Sequence, residues 1–163
     1  FLSKKLDDIH KQNIRIKVLG YKKFSKKLNS LLNFTEKKTI KNSISFKGIG
    51  LHTGLSVSVC IKPAGPDTGI VFKRIDLKDN NIILANYKNV SSAKLCTTLQ
   101  NDFGVKVSTV EHLLASLYIL GIDNVLIEID NEEVPIMDGS AKDFMEILEK
   151  INLIHNNHPN PSP

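Results

Sequence analysis

The sequence predicts an α+β fold in which a mainly antiparallel sheet is covered by two helices. Two observations carry this: short runs of alternating apolar and polar residues broken by glycine and proline, and two segments whose apolar residues recur at helical spacing. Ile44 and Phe46, then Val57, Val59 and Ile61, then Ile70 and Phe72 alternate with polar residues, so strands follow one another with turns at 48–54 and 63–69. Further strand-like runs occupy 82–90, 95–100, 105–107 and Val125–Ile129. Ser108 stands three residues before Glu111, the spacing of a capping box. Val110, Leu113, Leu114, Leu117 and Leu120 then form the apolar stripe of a first helix that stops at Gly121. A second helix follows Asp138-Gly139, with Ser140 as its N-cap and Phe144, Ile147, Leu148 and Ile151 as its stripe.

Composition separates this unit from its flanks. The chain has 163 residues, 41% of them hydrophobic, enough for one ordinary core. Its net charge of +5 is unevenly spread. Residues 1–42 carry twelve Lys and Arg against three acids, net +9, whereas residues 43–163 carry ten against fourteen, net −4. A nucleic-acid partner is therefore not expected, because the positive charge belongs to the flank and not to the folded unit. That flank reads as helix, strand and helix: Leu2, Leu6 and Ile9 at helical spacing, the alternation Ile14-Arg15-Ile16-Lys17-Val18-Leu19, then Leu28, Leu31 and Leu32. The domain expected from this reading spans 43–152, and 153–163, rich in asparagine and proline, is expected to be a disordered tail. Two cysteines cannot build a disulfide framework, and no basic leader or apolar run of about 20 residues is visible. A reduced cytoplasmic protein with at most peripheral membrane contact is expected.

The adjacent pair Glu111-His112 opens the first helix. Neighbouring helical residues diverge by about 100°, so both side chains border one ligand only if it sits near the helix N-terminus. There an imidazole could hold a metal while the carboxylate takes a proton from activated water, as in zinc hydrolases. On spacing alone, a capping glutamate beside an ordinary surface histidine is the simpler reading. Gly48-Ile49-Gly50-Leu51-His52-Thr53-Gly54 is a glycine-rich turn without the lysine of a phosphate-binding loop, and His52 in it is first of all a turn residue. Cys60 and Cys96 lie in strand-like runs, where a buried inert thiol is the default. His155 and His158 have metal-ligand spacing but sit in the tail, without a scaffold.

Taken in order, several of these segments resemble one family. They are Gly48-Ile49-Gly50-Leu51-His52-Thr53-Gly54, Pro63-Ala64 with Thr68-Gly69-Ile70, Leu95-Cys96-Thr97, Ser108-Thr109-Val110-Glu111-His112-Leu113, Leu120-Gly121-Ile122-Asp123-Asn124, and Val134-Pro135-Ile136-Met137-Asp138-Gly139-Ser140-Ala141. Together, over about 39–152, they look like the N-terminal domain of the UDP-3-O-acyl-N-acetylglucosamine deacetylases, zinc hydrolases of lipid A biosynthesis. The resemblance implies two similar domains with Zn²⁺ between them, a UDP-linked acylated amino sugar as substrate, Glu111 as catalytic base and His112 as a zinc ligand. His52 and Cys96 are carried as candidate substrate-binding residues.

The same resemblance places the remaining zinc ligands, in a His-Lys-x-x-x-Asp pattern, and the histidine that protonates the leaving amine on a second domain. None of these is in the sequence, so the expectation is an inactive fragment of the enzyme with an incomplete zinc site. A non-catalytic lipid-nucleotide or partner-binding module of the same fold is the alternative. Residues 1–42 are similar instead to the middle of an undecaprenyl diphosphate synthase, through 9–20 and 35–42, and a cis-prenyltransferase relative is a third reading.

Overall fold

The computed structural model describes residues 37–151 and 153–155. The elements expected before residue 37, most of the prenyltransferase-like stretch, and His158 lie outside them. The chain enters the described unit at β1 (Lys38–Ile40), which pairs antiparallel with the last strand, β10 (Leu153–His155). Thr39 and Ile40 are buried. The Thr39 hydroxyl donates to the Asn124 carbonyl at 2.5 Å and accepts the Ala64 N–H at 3.1 Å. Asn124, itself fully buried, accepts the Gly69 N–H through its side chain at 2.8 Å. The boundary expected at 42/43 therefore falls after a core strand, and the tail expected from 153 begins with its partner. Composition misplaced both ends because the exposed or half-exposed Lys37, Lys38 and Lys41 set the local charge while Thr39 and Ile40 between them set the fold.

Five strands form the main sheet: β2 (Ile44–Ile49), β3 (Ser56–Pro63), β4 (Ile70–Arg74), β5 (Ile82–Leu84) and β9 (Val125–Ile129). Their spatial order is β2-β3-β9-β4-β5, antiparallel throughout except for the parallel pair β4–β9. A smaller antiparallel sheet joins β6 (Val90–Ser92), β7 (Thr98–Gln100) and β8 (Lys106–Ser108). The single strand expected over 82–90 is interrupted because the Asn86 side chain accepts the N–H groups of Lys88 and Asn89, turning Tyr87–Asn89 into a 3₁₀ turn.

The helices are α1 (Glu111–Ile119) and α2 (Lys142–Glu149). Neither starts as expected. Ser108 is the last residue of β8, and its N–H and hydroxyl both go to the Glu132 carbonyl, so it forms no capping box. Ser140 stands one residue ahead of the cap, Ala141, but its hydroxyl does accept the Lys142 N–H at 3.1 Å while donating to Asp138.

One face of the main sheet and both helices share a core. Val57, Val59, Ile61, Phe72, Ile83, Ile127 and Ile129 from the strands join Leu113, Leu117, Phe144 and Leu148 from the helices, with Val110 just before α1 and Leu114 packed at the margin. Phe46 on β2 meets Phe144 on α2 edge to face, with ring centroids 5.6 Å apart and planes inclined by 69°. Replacing the buried ring in Phe144→Ala should destabilise the unit by about 3–5 kcal/mol, measured by urea denaturation. A loss below about 1 kcal/mol would mean that α2 does not cover the sheet as described.

Candidate functional site

Glu111 and His112 form the first turn of α1, both half-buried. The Glu111 carboxylate does not fold back on its own helix; Oε2 accepts the Thr97 N–H at 3.0 Å. That bond holds the side chain toward the Leu95-Cys96-Thr97 segment, whose Thr97 carbonyl also accepts the Val110 N–H at 3.4 Å. Oε1 and the His112 imidazole have no hydrogen-bond partner among the described residues; the Ser116 hydroxyl reaches the carbonyls of His112, at 2.8 Å, and Ala141, at 3.3 Å, and not the imidazole. One carboxylate oxygen and one imidazole are thus left available at the open end of a helix, where backbone N–H groups are unpaired.

What fixes the approach to this turn is Glu133, which the sequence reading did not single out. It is fully buried. Its Oε1 accepts the His52 N–H and the Thr109 hydroxyl, each at 2.9 Å, and its Oε2 accepts the Thr53 N–H at 2.8 Å. Burial pushes the carboxyl up, but the His52 and Thr53 N–H groups and the Thr53 and Thr109 hydroxyls outweigh it and hold the group below its ordinary 4.5. Gly50 makes room for it, since a Cβ there would lie 2.5 Å from Oε2. Thr109, two residues before Glu111, has φ +57°, the left-handed region that a β-branched residue rarely enters. The chain can turn sharply from β8 into α1 because this conformation is anchored through the Thr109 hydroxyl. In the sequence Asn131-Glu132-Glu133-Val134 both glutamates look alike. The register decides between them, Ser108 N–H to the Glu132 carbonyl and Val134 N–H to the Ser108 carbonyl, which turns Glu133 inward and leaves Glu132 exposed.

Three segments therefore converge on the start of α1: the turn bearing His52, the segment bearing Cys96, and Thr109 to His112. His52 is joined to it through its backbone, and Cys96 lies next to Thr97, its thiol half-buried and 3.8 Å from the Thr98 hydroxyl. Cys60 is half-buried as well, on β3. No group of three or more His, Cys, Asp or Glu side chains that could hold a metal ion occurs among the described residues. A groove of about 590 Å³ beside β5 shares no lining residue with the site. Its Asn81, Asn89 and Asn101 amides are spent on nearby backbone carbonyls.

Residues 37–162 match the family model described as UDP-3-O-acyl N-acetylglycosamine deacetylase. The chain belongs to that deacetylase family. It is 45% identical over 124 residues to the UDP-3-O-acyl-N-acetylglucosamine deacetylase of Pseudoalteromonas atlantica and 46% identical over 124 residues to that of Colwellia psychrerythraea, 76% of this chain and 41% of each relative. The Haemophilus influenzae deacetylase is 49% identical over 113 residues, covering 69% of this chain and 37% of the relative. The chain thus spans about two fifths of the length of the deacetylases it matches.

Because the Glu133 carboxyl is held below its ordinary value, its contribution to stability is complete above 4.5 and is lost as pH falls through the lower folded-state value. Urea midpoints of this deacetylase-family chain should therefore drop in acid. Gly50→Ala, whose new methyl displaces the carboxylate, should cost about 1–3 kcal/mol at pH 7 and show a shallower acid dependence. An unchanged acid slope in that variant would remove Glu133 from the account.

Proposed function

We propose that this chain supplies the proton-accepting carboxylate and one metal-ligating imidazole of a zinc-dependent deacetylase that removes the N-acetyl group of UDP-3-O-acyl-N-acetylglucosamine in lipid A biosynthesis. The observation that carries the reading is the pair at the open end of α1: Glu111 tethered through one oxygen to Thr97 and available through the other, with the His112 imidazole beside it on the same turn. Glu111 takes a proton from the water that adds to the acetamide carbonyl. The C–N bond then breaks, the nitrogen leaves as a free amine with a proton returned to it, and acetate is released. Zinc, when bound, supplies the positive charge that acidifies water and polarises the carbonyl. His112 would be one of its ligands, and a catalytic site needs about three from protein. The described residues fit such a site only in part, so the other ligands and the group that protonates the amine are assigned to a second domain of the same enzyme. His52 and Cys96, on the two segments that flank α1, are proposed to contact the substrate.

We place the reaction in the cytoplasm. No helix among the described residues is long and apolar enough to cross a membrane, which is compatible with peripheral contact to reach the acyl chain.

The test is complementation. The isolated chain should bind zinc weakly and substoichiometrically and release no acetate from the acylated UDP-sugar. Fused to the portion of the Colwellia relative that lies beyond the matched region, it should release acetate in a zinc-dependent manner. Glu111→Gln should then lower kcat by about 10²–10⁴-fold. Turnover by the isolated chain with one tightly held zinc, or turnover in the fusion that survives both Glu111→Gln and His112→Ala, would overturn the proposal.

A further inference from the structure

We infer that Glu133 is a positioning residue for the reaction, setting the orientation of Glu111 and His112 and coupling it to the turn that carries His52. This rests on the reading of Glu111 and His112 as the reacting pair. Three features point to positioning in addition to stability. The carboxylate receives donors from two segments that are distant in sequence, His52 and Thr53 on one side and Thr109 on the other, and it is the hydrogen-bonded link between them. The Thr109 donor belongs to the residue with positive φ that aims the first turn of α1, so a change in its hydroxyl contact acts directly on the direction of Glu111 and His112. Finally, the space is tailored: Gly50 admits the carboxylate, and Gly48, whose added Cβ would lie 2.6 Å from the Pro135 side chain, lets the segment following Glu133 pack against β2. The Ile136 N–H bonded to the Ile49 carbonyl at 2.9 Å closes that contact. A buried carboxylate without full hydrogen bonding is costly, so the donors on both sides are held to it and, through it, to each other.

The mechanical consequence is reciprocal. A ligand that draws the His52 turn outward would pull on Glu133 and, through Thr109, on the start of α1. Binding at His52 and the aim of Glu111 then belong to one element, and substrate engagement on the turn would be felt by the base.

The experiment uses the whole isotopically labelled chain at neutral pH and compares wild type with Glu133→Gln, Thr109→Val and Thr109→Ser. Amide exchange is followed at His52, Thr53, Glu111 and His112 and, as internal references, at Ile61 and Ile127 in the sheet; the imidazole resonances of His52 and His112 are recorded alongside. Glu133→Gln should speed exchange at His52 and Thr53 by about tenfold or more, the effect of losing a hydrogen bond to a charged group, and shift the Glu111 and His112 signals, with Ile61 and Ile127 little changed. Thr109→Val, which keeps the carboxylate, should move the same Glu111 and His112 signals, and Thr109→Ser, which keeps the hydroxyl, should restore them. A uniform rise in exchange across all six positions, or Glu111 and His112 signals that stay in place when His52 and Thr53 open, would overturn the inference. None of these readouts requires substrate or metal. Absence of acetate release from the fused enzyme would therefore count against the deacetylase reading alone.

Discussion

A carboxylate taken out of water must be met by hydrogen bonds on nearly every side, and Glu133 is met by donors from two segments far apart in the sequence. That requirement organises the site. To bring His52 and Thr53 close enough, the turn after β2 has to fold under the acid, which calls for glycine at 50. To bring the Thr109 hydroxyl, the chain leaving β8 has to adopt a left-handed conformation before entering α1. The direction of Glu111 and His112 is thus set by how a buried charge is satisfied, more than by any capping signal within the helix, whose N-cap makes no side-chain bond at all.

The rest of the unit supplies the rigidity against which this arrangement works. The sheet and the two helices share one core, and the Phe46–Phe144 contact ties the edge strand β2, which leads into the His52 turn, to α2. At the opposite end of the helix α1, Asn124 and Thr39 lock the first and ninth strands through buried hydrogen bonds. Both knots use a polar side chain that accepts backbone N–H groups from a distant segment, a way of fixing loops where apolar packing alone would leave their register free.

Much of the fold was legible because it depends on periodicity. The alternation through Val57, Val59 and Ile61 and the helical spacing of Leu113 and Leu117 identify faces, and faces are what pack. Legibility failed where side chains bond to backbone. Asn86 broke an expected strand, Ser108 was drawn to the Glu132 carbonyl instead of a helix cap, and Thr39 belonged to the core although lysines surround it. The candidates Glu111, His112, His52 and Cys96 were singled out through ordered motifs, and the structure puts their segments around one helix start. Glu133 was not, because its neighbour Glu132 has the same chemistry, and only the pairing of Ser108 with residues 132 and 134 decides which acid turns inward.

The most direct measurement of that claim is the scalar coupling transmitted across hydrogen bonds, from the amide nitrogens of His52 and Thr53 to the side-chain carboxyl carbon of Glu133, in the isotopically labelled chain. Measurable couplings at both amides, together with exchange much slower than in a free turn, are what the structure requires. Absent couplings with exchange as fast as in an exposed loop would show that Glu133 does not hold the turn and that something else aims Glu111 and His112.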